Sequence, residues 1–105
     1  MVFIAGQVGW DAHQHFRSAD LVAQFEQALK NVLELLAESG GKPEQIYRMT
    51  AYCTKKDDYL AHHQELGQII KKLMGKHYPA MSMIFVSDLL DHPGKIELEA
   101  TAVIP

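Results

Sequence analysis

The sequence predicts an α+β domain in the order β-α-β-α-β-β, a mixed sheet with two helices on one face. Three observations predict it. Four stretches read as strands, 2–6, 46–54, 80–86 and 95–105, and only two runs of helical period interrupt them, Leu21 to Leu36 and Leu60 to Leu73. A crossover between parallel strands of one sheet is right-handed, so two such crossovers between neighbouring strands lay both helices on the same face. The third strand is apolar on both parities, with Met81, Met83 and Phe85 on one side and Ile84 and Val86 on the other. That pattern belongs to a strand buried on both faces. Two helices cover one face, so a further copy of the chain is expected on the other.

Each element has its own signal. "VFIAG" (2–6) is a short apolar run closed by Gly6, and 7–20 has no period and reads as a loop. Leu21, Val22, Phe25, Leu29, Val32, Leu33 and Leu36 recur at helical spacing, with Ser18 or Asp20 placed to accept from the first free N–H groups. "SGGKP" (39–43) stops this helix, because glycine takes the left-handed C-terminal position. "IYRMTAYCT" (46–54) is aromatic and β-branched. Asp57 or Asp58 is expected to cap the second helix, whose Leu60, His63, Leu66, Ile70 and Leu73 form one face before Gly75 ends it. "AMSMIFV" (80–86) follows Pro79, and 87–95 is a turn segment. In "KIELEATAVIP" (95–105), Ile96, Leu98, Ala100, Ala102 and Ile104 alternate with Glu97, Glu99, Thr101 and Val103.

A chain of 105 residues makes one domain, and its 48% hydrophobic and 22% charged content is that of an ordinary globular protein. The formal charge of −3 offers no basic field for nucleic acid. The single cysteine, Cys53, excludes an internal disulfide and fits a reducing compartment. No apolar run is long enough to cross a membrane, and no signal segment precedes the first strand, so a cytoplasmic location is expected.

Few residues carry chemistry. His13 and His15 flank Gln14 in a loop with no third ligand near in sequence. His62 and His63 are adjacent on a helix and point about 100° apart, so neither pair reads as a metal site. Cys53 reads as a small core residue. Phosphate loops, nucleophile elbows and dinucleotide fingerprints are absent. Glu97 and Glu99 stand out, because carboxylates beside an apolar neighbouring strand need a cation or several donors. Arg48, Thr50 and Tyr52 share one parity of the second strand, and any of them can supply that partner.

"VFIAGQVGWD" (2–11), "FEQALKNVLELLAESGG" (25–41), "IYRMTAYCT" (46–54), "YPAMS" (78–82) and "IELEATAVIP" (96–105) together resemble the Rid family, also called YjgF or L-PSP. The match runs in order along nearly the whole chain. The resemblance implies a chorismate-mutase-like fold, a homotrimer whose sheets form a central barrel, and clefts for a small metabolite between neighbouring subunits. It implies hydrolysis of reactive enamines and imines, such as 2-iminopropionate, to carbonyl compounds and ammonia, with no metal or organic cofactor. Some members carry ribonuclease or translation-inhibitor names, a role that the charge does not favour here.

In deaminating members, the arginine of "PARS" grips the substrate carboxylate and a glutamate of the last strand places the water. By this resemblance Glu99 is the catalytic glutamate, Glu97 is a structural or rim carboxylate, and Gly6 borders the cleft with its backbone. Met81 occupies the arginine's position, with Ser82 beside it and Tyr78 and His77 at the rim. Methionine cannot bind an anion, so either Arg17 or Arg48 substitutes from elsewhere, or the cleft takes a neutral or cationic ligand. A metabolite-binding protein without turnover is the alternative reading. The family's catalytic tyrosine lies in a strand before the one that "VFIAG" matches, so the domain 1–105 is expected to lack that first strand.

Overall fold

The computed structural model describes residues 1–105 and forms one four-stranded sheet carrying two long helices. In chain order the elements are β1 (Val2–Val8), α1 (Leu21–Glu38), a short 3-10 turn (Pro43–Gln45), β2 (Ile46–Cys53), α2 (Lys56–Met74), β3 (Ala80–Phe85) and β4 (Ile96–Ala102). The strand order is β1-β4-β2-β3, with β4 antiparallel to both neighbours and β2 parallel to β3. Only β2-α2-β3 therefore joins neighbouring parallel strands. The crossover through α1 skips a place, because β4 inserts between β1 and β2 and pairs with both.

The α+β class and the element order stand as expected, and several local expectations are corrected. β1 runs on to Val8 rather than ending at Gly6, because a register shift between Ile4 and Gln7 lets the pairing with β4 continue to Val8 opposite Glu97. Asp20, not Ser18, caps α1 by accepting the Ala23 N–H at 3.0 Å. Neither Asp57 nor Asp58 caps α2. Lys55 holds that position without a side-chain bond, and the two aspartates lie in the first turn, where their charge suits the helix dipole. The buried face of α2 is Leu66, Ile69, Ile70 and Met74; Leu60 is 52% exposed. Gly40, at φ 84°, takes the left-handed turn that ends α1.

The core lies between helices and sheet. Leu21, Phe25, Leu29, Val32 and Leu36 of α1 pack with Met49 of β2, Ile96 and Leu98 of β4 and Ile4 of β1. β4 alternates strictly: Ile96, Leu98, Ala100 and Ala102 are buried, while Glu97, Glu99 and Thr101 turn partly exposed to the opposite face. That opposite face has no helix over it. β3 is an edge strand, and Ile84 and Phe85 are exposed, so the double burial expected from its composition is not met within one chain. Neither helix is long and apolar enough to cross a membrane.

Two amides, Gln24 buried and Asn31 half-buried, fix the loops around the sheet's end. Gln24, 1% exposed, accepts the Lys95 N–H at 2.7 Å and donates to the Ser18 carbonyl at 3.0 Å. Asn31 donates to the carbonyls of Val8 at 3.0 Å and Trp10 at 2.8 Å. The first ties segment 87–95 to α1, and the second anchors the end of β1. Both segments flank Glu97.

Candidate functional site

The open sheet face carries one polar constellation. β2 contributes Arg48, Thr50 and Tyr52, β4 contributes Glu99 and Thr101, β3 contributes Ser82 and Ile84, and β1 contributes Phe3, around a concavity of about 600 Å³. Thr50 lies opposite Glu99 and Tyr52 opposite Glu97 in the β2–β4 ladder. Among the three partners the sequence left open, Tyr52 is the one that pairs. Its hydroxyl reaches along the strand and donates to Glu99 Oε1 at 2.9 Å. The hydrogen bond to the carboxylate raises the Tyr52 pKa, since the neutral phenol is the form that donates.

Glu97 stands nearer the end of the sheet. A Cβ built on Gly6 would lie 2.7 Å from the Glu97 carboxyl carbon, so Gly6 leaves room for this side chain. The glycine expected at the cleft therefore borders Glu97, whereas Glu99 sits further along β4 with Tyr52. Burial raises the Glu97 pKa, and the negative charges of Asp91 and Glu99 add to the effect. The family resemblance implies a structural or rim carboxylate at Glu97, and its contact with Gly6 depends on the register shift in β1, which has no local sequence signal.

Met81 points the other way. With Met83 it faces the helices, in a cavity of about 210 Å³ whose walls include the rings of Phe25, Tyr59 and Tyr78 and the imidazole of His63. Leu66 and Ile70 close its floor. Tyr78 thus lines the Met81 cavity, while Ser82, one residue on, lines the open face. Met81 and Glu99 lie on opposite faces of the same sheet, so one chain does not bring them together.

Neither arginine replaces the missing cation at Met81. Arg17 donates through Nε to Asp11 Oδ2 in the loop before α1, and Arg48 lies on the open face. His77 turns away as well, with Nε2 2.8 Å from the Ile46 carbonyl oxygen, and lines a separate groove with Tyr47 and Pro105. Cys53 is fully buried, and burial raises its thiol pKa, as suits a core residue. His62 contacts the Asp58 carboxylate at 3.0 Å on its own helix, and no three His, Cys, Asp or Glu side chains converge as metal ligands would.

The arrangement has close parallels. Residues 1–104 match the family model described as Endoribonuclease L-PSP. A RutC family protein of Pasteurella multocida is 30% identical over 103 residues, spanning 98% of this chain and 79% of the relative. The Rid-family protein YyfB of Yersinia pestis has the same fold at a TM-score of 0.86 and 34% identity, over 98% of this chain and 77% of that one. TdcF of E. coli, solved with bound serine, superposes at a TM-score of 0.85 and 25% identity, over 98% of this chain and 80% of that one. The fold is that of the YjgF/L-PSP proteins, and the chain belongs to the Rid family.

Proposed function

We propose that this Rid protein assembles as a homotrimer and hydrolyses small imines or enamines that lack a carboxylate, holding them in the Met81 cavity. The observation that carries the reading is the cavity's lining. At the position where deaminating relatives are expected to grip a carboxylate, Met81 stands among Met83, Phe25, Tyr59 and Tyr78 with no Lys or Arg in the wall. A carboxylate entering such a wall loses its hydration without gaining a Lys or Arg partner. TdcF binds serine, an amino acid with a carboxylate, and the present wall offers neither Lys nor Arg to that group.

The reaction needs little else. Water adds across the C=N bond to give a carbinolamine, which expels ammonia and leaves the C=O bond. A carboxyl group can give a proton to the nitrogen and, as carboxylate, take one from the attacking water. Glu97 suits that work, because it lies beside Gly6 and its raised pKa brings its protonated form closer to neutral pH. Glu99 is the second candidate, with Tyr52 orienting it. The uncovered sheet face, with Phe3 76% and Ile84 43% exposed, supports assembly through that face.

The test follows the decay of two imines, trapped competitively by semicarbazide. One is a 2-imino acid made by an amino-acid oxidase, and the other is benzaldimine made from benzylamine by an amine oxidase. The parent protein should speed the loss of benzaldimine and leave the 2-imino acid alone. Met81→Arg should shift activity toward the 2-imino acid. Fast turnover of the 2-imino acid by the parent, with none of benzaldimine, would overturn the proposal. Glu97→Gln and Glu99→Gln then assign the carboxylate: the reacting one loses turnover and keeps ligand binding. Binding of benzylamine without any turnover of its imine would leave a metabolite-binding protein instead.

A further inference from the structure

His63 is not accounted for by the reaction above, yet it is the one side chain besides the two tyrosines that brings a polar group to the Met81 cavity. Its ring is held from two sides. Nδ1 lies 2.9 Å from the Leu60 carbonyl oxygen of the same helix. A carbonyl only accepts, so Nδ1 carries the proton in this contact. The Tyr59 ring stands 6.5 Å away, centroid to centroid, and is itself braced edge-on by Phe85 at 5.6 Å. In the neutral ring this leaves Nε2, on the far side from Leu60, as a lone-pair acceptor with no partner in the protein.

We infer that His63 is a specificity-determining residue of the Met81 cavity, whose Nε2 accepts a hydrogen bond from an N–H of a neutral, apolar imine or enamine. The inference rests on the proposed function's placing the ligand in this cavity. It adds a feature that selects among neutral ligands: thioethers and aromatic rings hold an apolar body, and Nε2, unlike the Tyr59 and Tyr78 hydroxyls, can only accept, so it demands a donor. An arginine would select a carboxylate at this wall; an imidazole of fixed tautomer selects an N–H.

Aniline and toluene test this directly. They have nearly the same shape, and aniline's amino group, conjugated to a π system, resembles an enamine nitrogen. The protein, labelled at the methionine methyl carbons, has five signals to follow by NMR, with those of Met81 and Met83 assigned from leucine variants. Both probes should shift these two signals. The quantity read is the ratio of the toluene to the aniline dissociation constant. His63→Phe keeps a ring and removes the acceptor, so the ratio should fall about three- to tenfold, the range of one hydrogen bond. His63→Gln keeps an acceptor and should hold the ratio within about twofold of the parent. An unchanged ratio in His63→Phe, with both probes still binding, overturns the role of His63 and leaves the cavity as the ligand site. Failure of both probes to move Met81 and Met83 overturns the cavity itself, and the proposed function with it. His63 is solvent-exposed, so both variants are expected to fold.

Discussion

Gln24→Leu is the sharpest test of how the site is held. The side chain is 1% exposed and bridges three segments. Its oxygen accepts the Lys95 N–H at 2.7 Å, and its amide donates to the Ser18 carbonyl at 3.0 Å, with a marginal approach of 3.4 Å to the Pro93 carbonyl. Leucine keeps most of the bulk, so the change removes hydrogen bonds more than volume. The Lys95 N–H and Ser18 C=O are then left partly buried and unpaired, at about 1–3 kcal/mol for each such group. Because both segments lie near the surface, water recovers part of that, and a loss of about 2–4 kcal/mol is expected. With an unfolding entropy of about 2.1 cal/mol/K per residue, the melting temperature falls by roughly 9–18 °C. Calorimetry at fixed subunit concentration measures it, since the proposed assembly would make the midpoint concentration-dependent. Hydrogen exchange adds a local readout: the Lys95 amide should lose protection more than the amides of β2. A loss under about 0.5 kcal/mol, with Lys95 still protected, would refute the staple, and with it the claim that α1 positions the segment leading into Glu97.

Two glycines separate backbone from side-chain crowding. Gly9→Ala places a methyl against the backbone of Gln24, which cannot yield, and should cost about 2 kcal/mol or more in urea unfolding. Gly6→Ala meets only the carboxyl end of Glu97, so stability should stay within about 0.5 kcal/mol while imine turnover falls. Glu97 also sets a pH dependence. Its folded pKa is raised above 4.5, so the native state holds the proton longer, and stability should fall as pH rises from that value through the raised one. Glu97→Gln should flatten that slope in pH-dependent denaturation, being more stable than the parent at neutral pH and not in acid. Mixing tests whether two copies share a site: Met83→Trp, which fills the Met81 cavity, and Glu97→Gln should each be inactive alone and recover part of the turnover when unfolded and refolded together.

The fold was legible where pattern reports on one face at a time. The alternation in 96–102 assigns Leu98 and Ala100 to the core and Glu97 and Glu99 away from it, and the structure has them so. The period from Leu21 to Leu36 likewise yields the buried face of α1. What failed depends on partners distant in sequence. The buried face of α2 begins later than the period predicts, because Leu60 keeps the helical period but is exposed. The insertion of β4 between β1 and β2 leaves no local trace. Neither does the register shift between Ile4 and Gln7, on which the contact of Gly6 with Glu97 depends. Gln24 sits on the buried face of α1, and a polar residue there is a sign that segments outside the helix need its hydrogen bonds. The helical period already puts His63 on the face of α2 with Leu66 and Ile70, but its place beside Met81 follows from how α2 lies against β3.

The division of chemistry between the two faces follows from strand geometry. Side chains alternate across a strand, so a residue facing the helices and one facing away cannot meet without passing through the sheet. Met81 packs on the helix side with Phe25 and Tyr59, whereas Glu97 and Glu99 project on the other side, and these strands are hydrogen-bonded parts of one sheet. No rotamer change closes that gap. A reaction that needs an apolar hold and a carboxylate must therefore draw them from two copies, with the cavity edge of one chain set against the Gly6–Glu97 edge of another. In the proposed homotrimer, assembly would then serve the chemistry as well as cover a sheet. Under the proposed function, a substitution at Met81 would change the ligand held while the carboxylates stay in place: the binding wall and the reacting group belong to different faces, and a substitution in one leaves the other's packing untouched.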